Sequence, residues 1–216
     1  MPDPVLQQVE HFNNPGITAN DAFKPVTRYF DRITRPEQII NSFPNAIQMM
    51  LDPVDCGPAC ISLCQDIQGQ TFDYPEEFFK ERIHSIRRPR PDDFQIKEAA
   101  EKIKKSKNPI IISGGGVFYS NAMEELSNFA IKHNIPVTQT VMGYSTMKRD
   151  HSHYAGQIGG LGGKNTNDLA KETDLAIAIG TKLGDFTTGS WANFENENFK
   201  LVSINVSRFD ANKHLA

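Results

Sequence analysis

No apolar run among the 216 residues approaches the roughly 20 needed to cross a bilayer. The opening stretch MPDPVLQQVEHF has neither the basic nor the apolar region of a signal peptide. An excess of one charge sign is also missing. The 23 Lys and Arg stand against 26 Asp and Glu, and a formal net charge of −3 gives no electrostatic reason to expect nucleic acid or an anionic membrane as partner. Cysteine is scarce. Cys56, Cys60 and Cys64 all fall in VDCGPACISLCQD, and their C-x3-C-x3-C spacing matches no common zinc or cluster pattern. Gly57-Pro58 keeps one helix from lining the three up, so small buried apolar roles are expected for them. An odd cysteine count without a secretion signal fits a reducing compartment, and a cytoplasmic protein is the expectation. At 38% hydrophobic residues the chain is long enough to bury a substantial core.

What is present alternates. Thr34-Arg35-Pro36-Glu37 has the form of a capping box with proline in the first turn. Apolar residues then recur at Ile39, Ile40, Phe43, Ala46, Ile47 and Met50, the helical period, with Pro44 expected to kink or divide that helix. A strand is expected over 59–63. The stretch HSIRRPRPDD reads as a linker, which places an α/β segment at 1–80, the linker at 81–94 and a second α/β domain at 95–216. Beyond the linker the spacing predicts a helix over 95–106 and a fully buried strand over 110–113. Ser120 or Asn121 should cap a helix running to His133. A strand over 135–141, a glycine-rich turn region, a helix over 167–171 and strands over 174–179 and 200–206 complete the pattern. Buried strands separated by helices imply an α/β fold with a parallel sheet covered on both faces.

The run Ile110-Ile111-Ile112 ends in Gly114-Gly115-Gly116, a strand and glycine turn of the kind that cradles a phosphate at a helix start. A dinucleotide fingerprint needs G-x-G-x-x-G, and its third position here is Tyr119. The acidic residue expected about 20 positions on is also missing, because the next strand ends TQTVMGY. Both departures favour a structural tight turn over standard NAD binding. The exposed N–H groups of a triple glycine leave a flavin or adenine diphosphate in another mode as the alternative. Gly184-Asp185 with Asn212 has the spacing of a metal–diphosphate motif, but Phe186 replaces its third residue and no helical pattern brings Asn212 back to Asp185. His151 and His153 read as exposed or locally bonded. Lys164 in GGLGGKN does not fit a phosphate loop, and Trp191 reads as packing or an interface anchor. No catalytic residue and no metal site is assigned.

Taken in order, KNPIIISGGGVFYSNAMEELSNFAIKHNIPVTQTVMG, DHSHYAGQIGGLGG, DLAIAIGTKLGDFTTGS and KLVSINVS resemble the central domain of thiamine diphosphate (TPP)-dependent enzymes of the acetohydroxyacid synthase type. PVTRYFDRITRPEQIINSFPNAIQMM and GPACISLCQDIQGQTFDYP resemble the end of that family's pyrimidine-binding domain. The resemblance implies a Rossmann-like central domain preceded by the C-terminal part of the pyrimidine-binding domain, in an internal fragment whose central domain lacks its last strand and helix. It implies TPP and Mg²⁺ as cofactors of the longer enzyme, with none bound to this fragment. The ring-protonating glutamate would lie before Met1 and the metal motif after Ala216. For the longer enzyme it implies a hydrolase that cleaves a C–C bond of a small-molecule cyclic dione, acting as a homo-oligomer. The alternatives are a synthase-like or other TPP or FAD enzyme, and a nucleotide-binding or assembly domain without chemistry. Weak cofactor-binding candidates by this resemblance are Gly114, Gly115 and Gly116, together with Gln7 and Gln8 from a loop that lines the family's cofactor cleft. A truncated first domain should expose Ile39, Phe43 and Ile47, and association or disorder is expected before residue 80.

Overall fold

A computed structural model describes residues 13–14 and 16–212. The chain divides between Arg88 and Pro89 into two compact units. Residues 81–92 carry no regular structure.

In the first unit, β1 (Tyr29–Ile33) and β2 (Ala59–Leu63) pair in parallel from Tyr29 opposite Ala59 to Ile33 opposite Leu63. Parallel neighbours need a crossover, and α1 (Ile39–Met50) supplies it. Pro44 does not divide α1, which runs unbroken through it. Packing of the helix on both strands offsets the backbone hydrogen bond that proline removes. The start of α1 also differs from the capping-box expectation. The side chain of Gln38, not Glu37, reaches back, its Oε1 accepting from the Thr34 N–H at 2.6 Å and the Arg35 N–H at 2.9 Å. Pro36-Glu37-Gln38 form a 3₁₀ turn, which brings position 38 over the entry. A short helix, α2 (Gln65–Gln68), follows, and a small core of Ile33, Cys64 and Ile67 is packed by Ile39 and Ile61. Phe43 is exposed, whereas Ile39 and Ile47 are half-buried.

The second unit opens with α3 (Asp93–Lys105), two residues before the expected start, because the Asp92 carboxylate accepts the Gln95 N–H at 2.8 Å and sets the cap there. The chain then runs through β3 (Pro109–Ser113), α4 (Gly115–Tyr119), α5 (Met123–His133), β4 (Val137–Gln139), β5 (Tyr154–Gln157), α6 (Lys164–Glu172), β6 (Leu175–Ile179), α7 (Asp185–Thr188), β7 (Lys200–Ile204) and α8 (Arg208–Asn212). The five strands are all parallel, in the order β5-β4-β3-β6-β7. Counted from the unit's first strand this is third, second, first, fourth, fifth, the doubly wound arrangement. The residues of β3 alternate between two cores. Ile111 joins Val117, Leu126, Ala130 and Val137 on one face, where Ala99 and Ile103 of α3 pack. Ile110 and Ile112 join Ile158, Ala170 and Leu183 on the other, under Trp191 and Phe194. This two-sided burial is why the strand reads as a continuous apolar run.

Several boundaries depart from the sequence reading: α6 is longer than the expected 167–171, and β7 ends at Ile204 short of 206. A helix, α4, begins inside the glycine turn, so Ser120 ends it and Asn121, at φ 54°, breaks the chain before α5 instead of capping it. Strand β4 keeps only three residues, because residues 141–143 tighten into a 3₁₀ turn capped by the Thr140 hydroxyl. Strand β5 lies within the stretch read as turn. Its Gly156, at φ +101°, sits beside an irregularity in the pairing with β4, and that glycine hides the strand's alternation.

Candidate functional site

In doubly wound sheets ligands bind beyond the carboxyl ends of the strands, where the winding reverses. Here that point lies between β3 and β6, and the Gly114-Gly115-Gly116 turn sits on it. The turn is closed by backbone. The Gly114 N–H donates to the Ile179 carbonyl at 2.9 Å and the Gly116 N–H to the Gly180 carbonyl at 2.9 Å. A Cβ on Gly114 would lie 2.4 Å from the Gly180 oxygen, and one on Gly116 would lie 2.6 Å from the Gly180 Cα. The glycines therefore let two loops touch, and two of the N–H groups that would face a phosphate already have acceptors. Gly115 is less confined, its nearest neighbour being the Met142 carbonyl at 3.0 Å from a built Cβ.

Beside the turn lies a buried polar network with no counterpart in the sequence reading. The Ser113 and Thr146 hydroxyls are 2.6 Å apart, and the Thr146 hydroxyl donates to the Gly143 carbonyl at 2.8 Å. Gln139 Nε2 donates to the Met147 carbonyl at 3.0 Å and to Thr146 Oγ1 at 3.2 Å. All three side chains are buried. Buried polar groups with complete partners hold a loop in one geometry, and this network clamps residues 140–147 onto the end of β3. Gly143 is part of that clamp, since a Cβ there would meet the Ser113 carbonyl at 2.0 Å. The available signal was a polar residue ending each apolar strand, Ser113 and Gln139, with glycines repeated just beyond. Phe118, Tyr119, Met142 and Phe186 stand exposed around these ends.

The remaining candidates lie apart. Asn212 is engaged locally, its Nδ2 donating to the Arg208 carbonyl at 3.1 Å, and Asp185 starts the single turn α7. His151 Nε2 is 2.9 Å from the Ser127 hydroxyl, and its Nδ1 accepts the His153 N–H at 3.1 Å; the His153 ring pairs with the Asn134 side chain. Lys164 forms an ion pair with Asp168 one turn on. Trp191 packs on the core cluster beside Phe194. Cys64 is buried, its thiol pushed up by burial, Cys60 is half-buried and Cys56 is exposed. Among the described residues no group of three or more His, Cys, Asp or Glu is placed to hold a metal ion. Gln7 and Gln8 lie outside the described residues. With two of the turn's N–H groups engaged and no hydrogen bond joining Asp185 to Asn212, the described residues do not fit a bound TPP–Mg²⁺ pair.

Residues 96–216 match the family described as "Thiamine pyrophosphate enzyme, central domain". The chain is 48% identical over 212 residues to the 3D-(3,5/4)-trihydroxycyclohexane-1,2-dione hydrolase of Clostridium perfringens (strain 13 / Type A), covering 98% of this chain and 33% of that one. The protein of the same name from Bacillus licheniformis is 46% identical over the same length. The chain thus spans about a third of the length of these curated relatives. Among solved structures, the thiamine diphosphate-dependent 4-hydroxybenzoylformate decarboxylase of Rhodococcus jostii RHA1 superposes with a TM-score of 0.75 at 19% identity, covering 92% of this chain and 37% of that one. Benzoylformate decarboxylase from Polynucleobacter necessarius gives 0.70 at 22% identity, with 93% and 38% covered. The chain therefore belongs to the thiamine pyrophosphate enzyme family and carries that family's central domain over residues 96–216.

Proposed function

We propose that this polypeptide is part of a TPP-dependent hydrolase that cleaves a C–C bond of 3D-(3,5/4)-trihydroxycyclohexane-1,2-dione, giving an open-chain deoxy-glucuronate in myo-inositol catabolism. One observation carries the reading: relatives bearing that hydrolase name match across both compact units, at 44–48% identity over 98% of the chain. Residues 1–80 are then the C-terminal part of the pyrimidine-binding domain, 81–94 the linker, and 95–216 the central domain. The longer enzyme is a cytoplasmic homo-oligomer that uses TPP and Mg²⁺. This segment holds neither and is inactive alone; its work is to space the parts that do. The engagement of Gly114 and Gly116 with the β6 loop supports a structural turn there over a nucleotide cradle and disfavours the FAD-binding alternative.

The test is a chimera in which this chain replaces the matched 212 residues of the Clostridium perfringens hydrolase. It should turn over the dione, while the 216-residue chain alone gives no calorimetric heat with TPP and Mg²⁺. A folded chimera that condenses pyruvate but leaves the dione untouched, or TPP binding by the isolated chain, would overturn the proposal.

A further inference from the structure

The loop after β6 holds a strained turn. Gly189, Ser190 and Trp191 follow one another at φ 58°, 54° and 69°, all left-handed, and only the first is a glycine. In the other two the Cβ crowds the following carbonyl oxygen, a conformation that residues with side chains visit singly and seldom in succession. Such backbone persists only where the surrounding contacts over-determine it. The Ser190 N–H donates to the Asp185 carbonyl at 3.1 Å, the Trp191 N–H to the buried Thr188 hydroxyl at 3.1 Å and the Asn193 N–H to the Thr188 carbonyl at 3.2 Å. Trp191 packs on the core cluster, yet its seat is incompletely filled. With Leu183, Leu201 and Ser203 the ring lines a cavity of about 10 Å³, the space of about one water-sized sphere.

The same loop grips another. The Gly160 N–H donates to the Phe186 carbonyl at 2.7 Å, and a Cβ on Gly159 would lie 1.9 Å from that oxygen. The Asn167 side chain joins the two loops. Its Oδ1 accepts from the Gly159 N–H at 2.9 Å and from Asn193 Nδ2 at 3.2 Å, while its Nδ2 donates to the Gly159 carbonyl at 3.0 Å. Asn193 is buried at this node. The loops follow β5 and β6, and β4 and β3 stand between those strands in the sheet, so the contact crosses the carboxyl ends of two strands. No residue of 184–193 belongs to the sheet.

We propose that residues 184–193 are a sprung strap, closed by the Asn167 node and the Trp191 ring, that opens as one unit while the sheet stays folded. Opening relaxes the left-handed turn, lifts Trp191 from its seat and releases Gly159 and Gly160, which uncovers the strand ends that the contact crosses. Segments held by few buried contacts are where a fold opens locally. The strap lies within the second unit alone and does not depend on which reaction the longer enzyme performs.

Amide hydrogen exchange of the 216-residue chain, read residue by residue by NMR, tests it. The Gly160, Ser190, Trp191 and Asn193 N–H groups should share one protection factor. It should be at least ~100-fold below that of Ile111 in the centre of the sheet and nearly independent of urea below the unfolding transition. Ser190 is exposed, so Ser190→Gly removes no packed side chain. It relieves the turn and should slow exchange at all four amides about 5-fold, including Gly160 in the other loop. Asn193→Ala breaks the tie to Asn167 and should speed the four about 10-fold, with a matching rise in acrylamide quenching of the sole tryptophan, Trp191. Protection of the four amides equal to that of Ile111 overturns the proposal, because the loop then opens only with the whole unit. So does a Gly160 rate that Ser190→Gly leaves unchanged, or Trp191 quenching that Asn193→Ala leaves unchanged.

Discussion

Replacing Asp174 with alanine should unfasten the start of β6 from the turn that precedes β3. The carboxylate accepts hydrogen bonds from the Ser106 hydroxyl, from the Lys107 N–H at 2.8 Å and from the Asn108 N–H at 3.1 Å. Burial opposes its ionisation, yet these donors outweigh burial and hold the carboxyl below its usual range. A hydrogen bond to a charged group contributes about 1.5–3 kcal/mol. The three do not add in full, because Lys107 and Asn108 are exposed and water takes over part of what is lost. The expected loss is therefore about 2–3 kcal/mol, or roughly 4–12 °C in Tm for a chain of this length. Trp191, the only tryptophan, packs on the core of the same unit, so its fluorescence reports the urea transition. Asp174→Asn keeps an acceptor without the charge and should lose about half as much. A lowered folded pKa means the contribution is complete above the unfolded value near ~3.9 and is lost as pH falls through the folded one. Wild type and Asp174→Asn should then converge in strong acid. A loss below ~0.5 kcal/mol for the alanine variant, or an asparagine gap unchanged by acid, would refute the reasoning.

Two more substitutions, and a control, probe the other parts of the frame. Gly180→Ala places a Cβ 2.5 Å from the Gly116 Cα at a φ of +58°, and should cost more than about 3 kcal/mol in the Trp191 urea transition. Gly16→Ala, in the first unit and with no described atom beyond its chain neighbours within 4 Å, is the control and should leave stability unchanged. In the first unit Arg32 lies 2.6 Å from the mostly buried Asp21 carboxylate and 3.1 Å from the Thr18 hydroxyl, so Arg32→Leu should cost about 3 kcal/mol, read by hydrogen exchange in β1. Lys24, the Thr18 N–H and Arg32 together hold the Asp21 carboxyl well below the usual range. That contribution is present above pH ~3.9 and fades on acidification, so the variant's deficit should shrink there.

The strands and the helices between them were legible because burial leaves a period in the sequence. The run Ile110–Ile112 announces a strand buried on both faces, and Ala59–Leu63 falls where its alternation put it. The family resemblance was legible in the order of whole segments. The short elements were not. The helix α4 starts within three glycines, and β5 contains a glycine at positive φ; in both, the conformation is set by a neighbouring loop and leaves no local pattern.

The sequence by itself determined the fold class and the family, since both rest on apolar spacing and motif order along one chain. Only the tertiary structure decided what the glycine turn does. Its three residues look alike in sequence, but Gly114 and Gly116 are held against Gly180, which is more than 60 residues away along the chain. It alone brought Ser113, Gln139 and Thr146 together. Contacts between distant segments depend on how strands are ordered in the sheet, and strand order leaves no mark on any local stretch of residues.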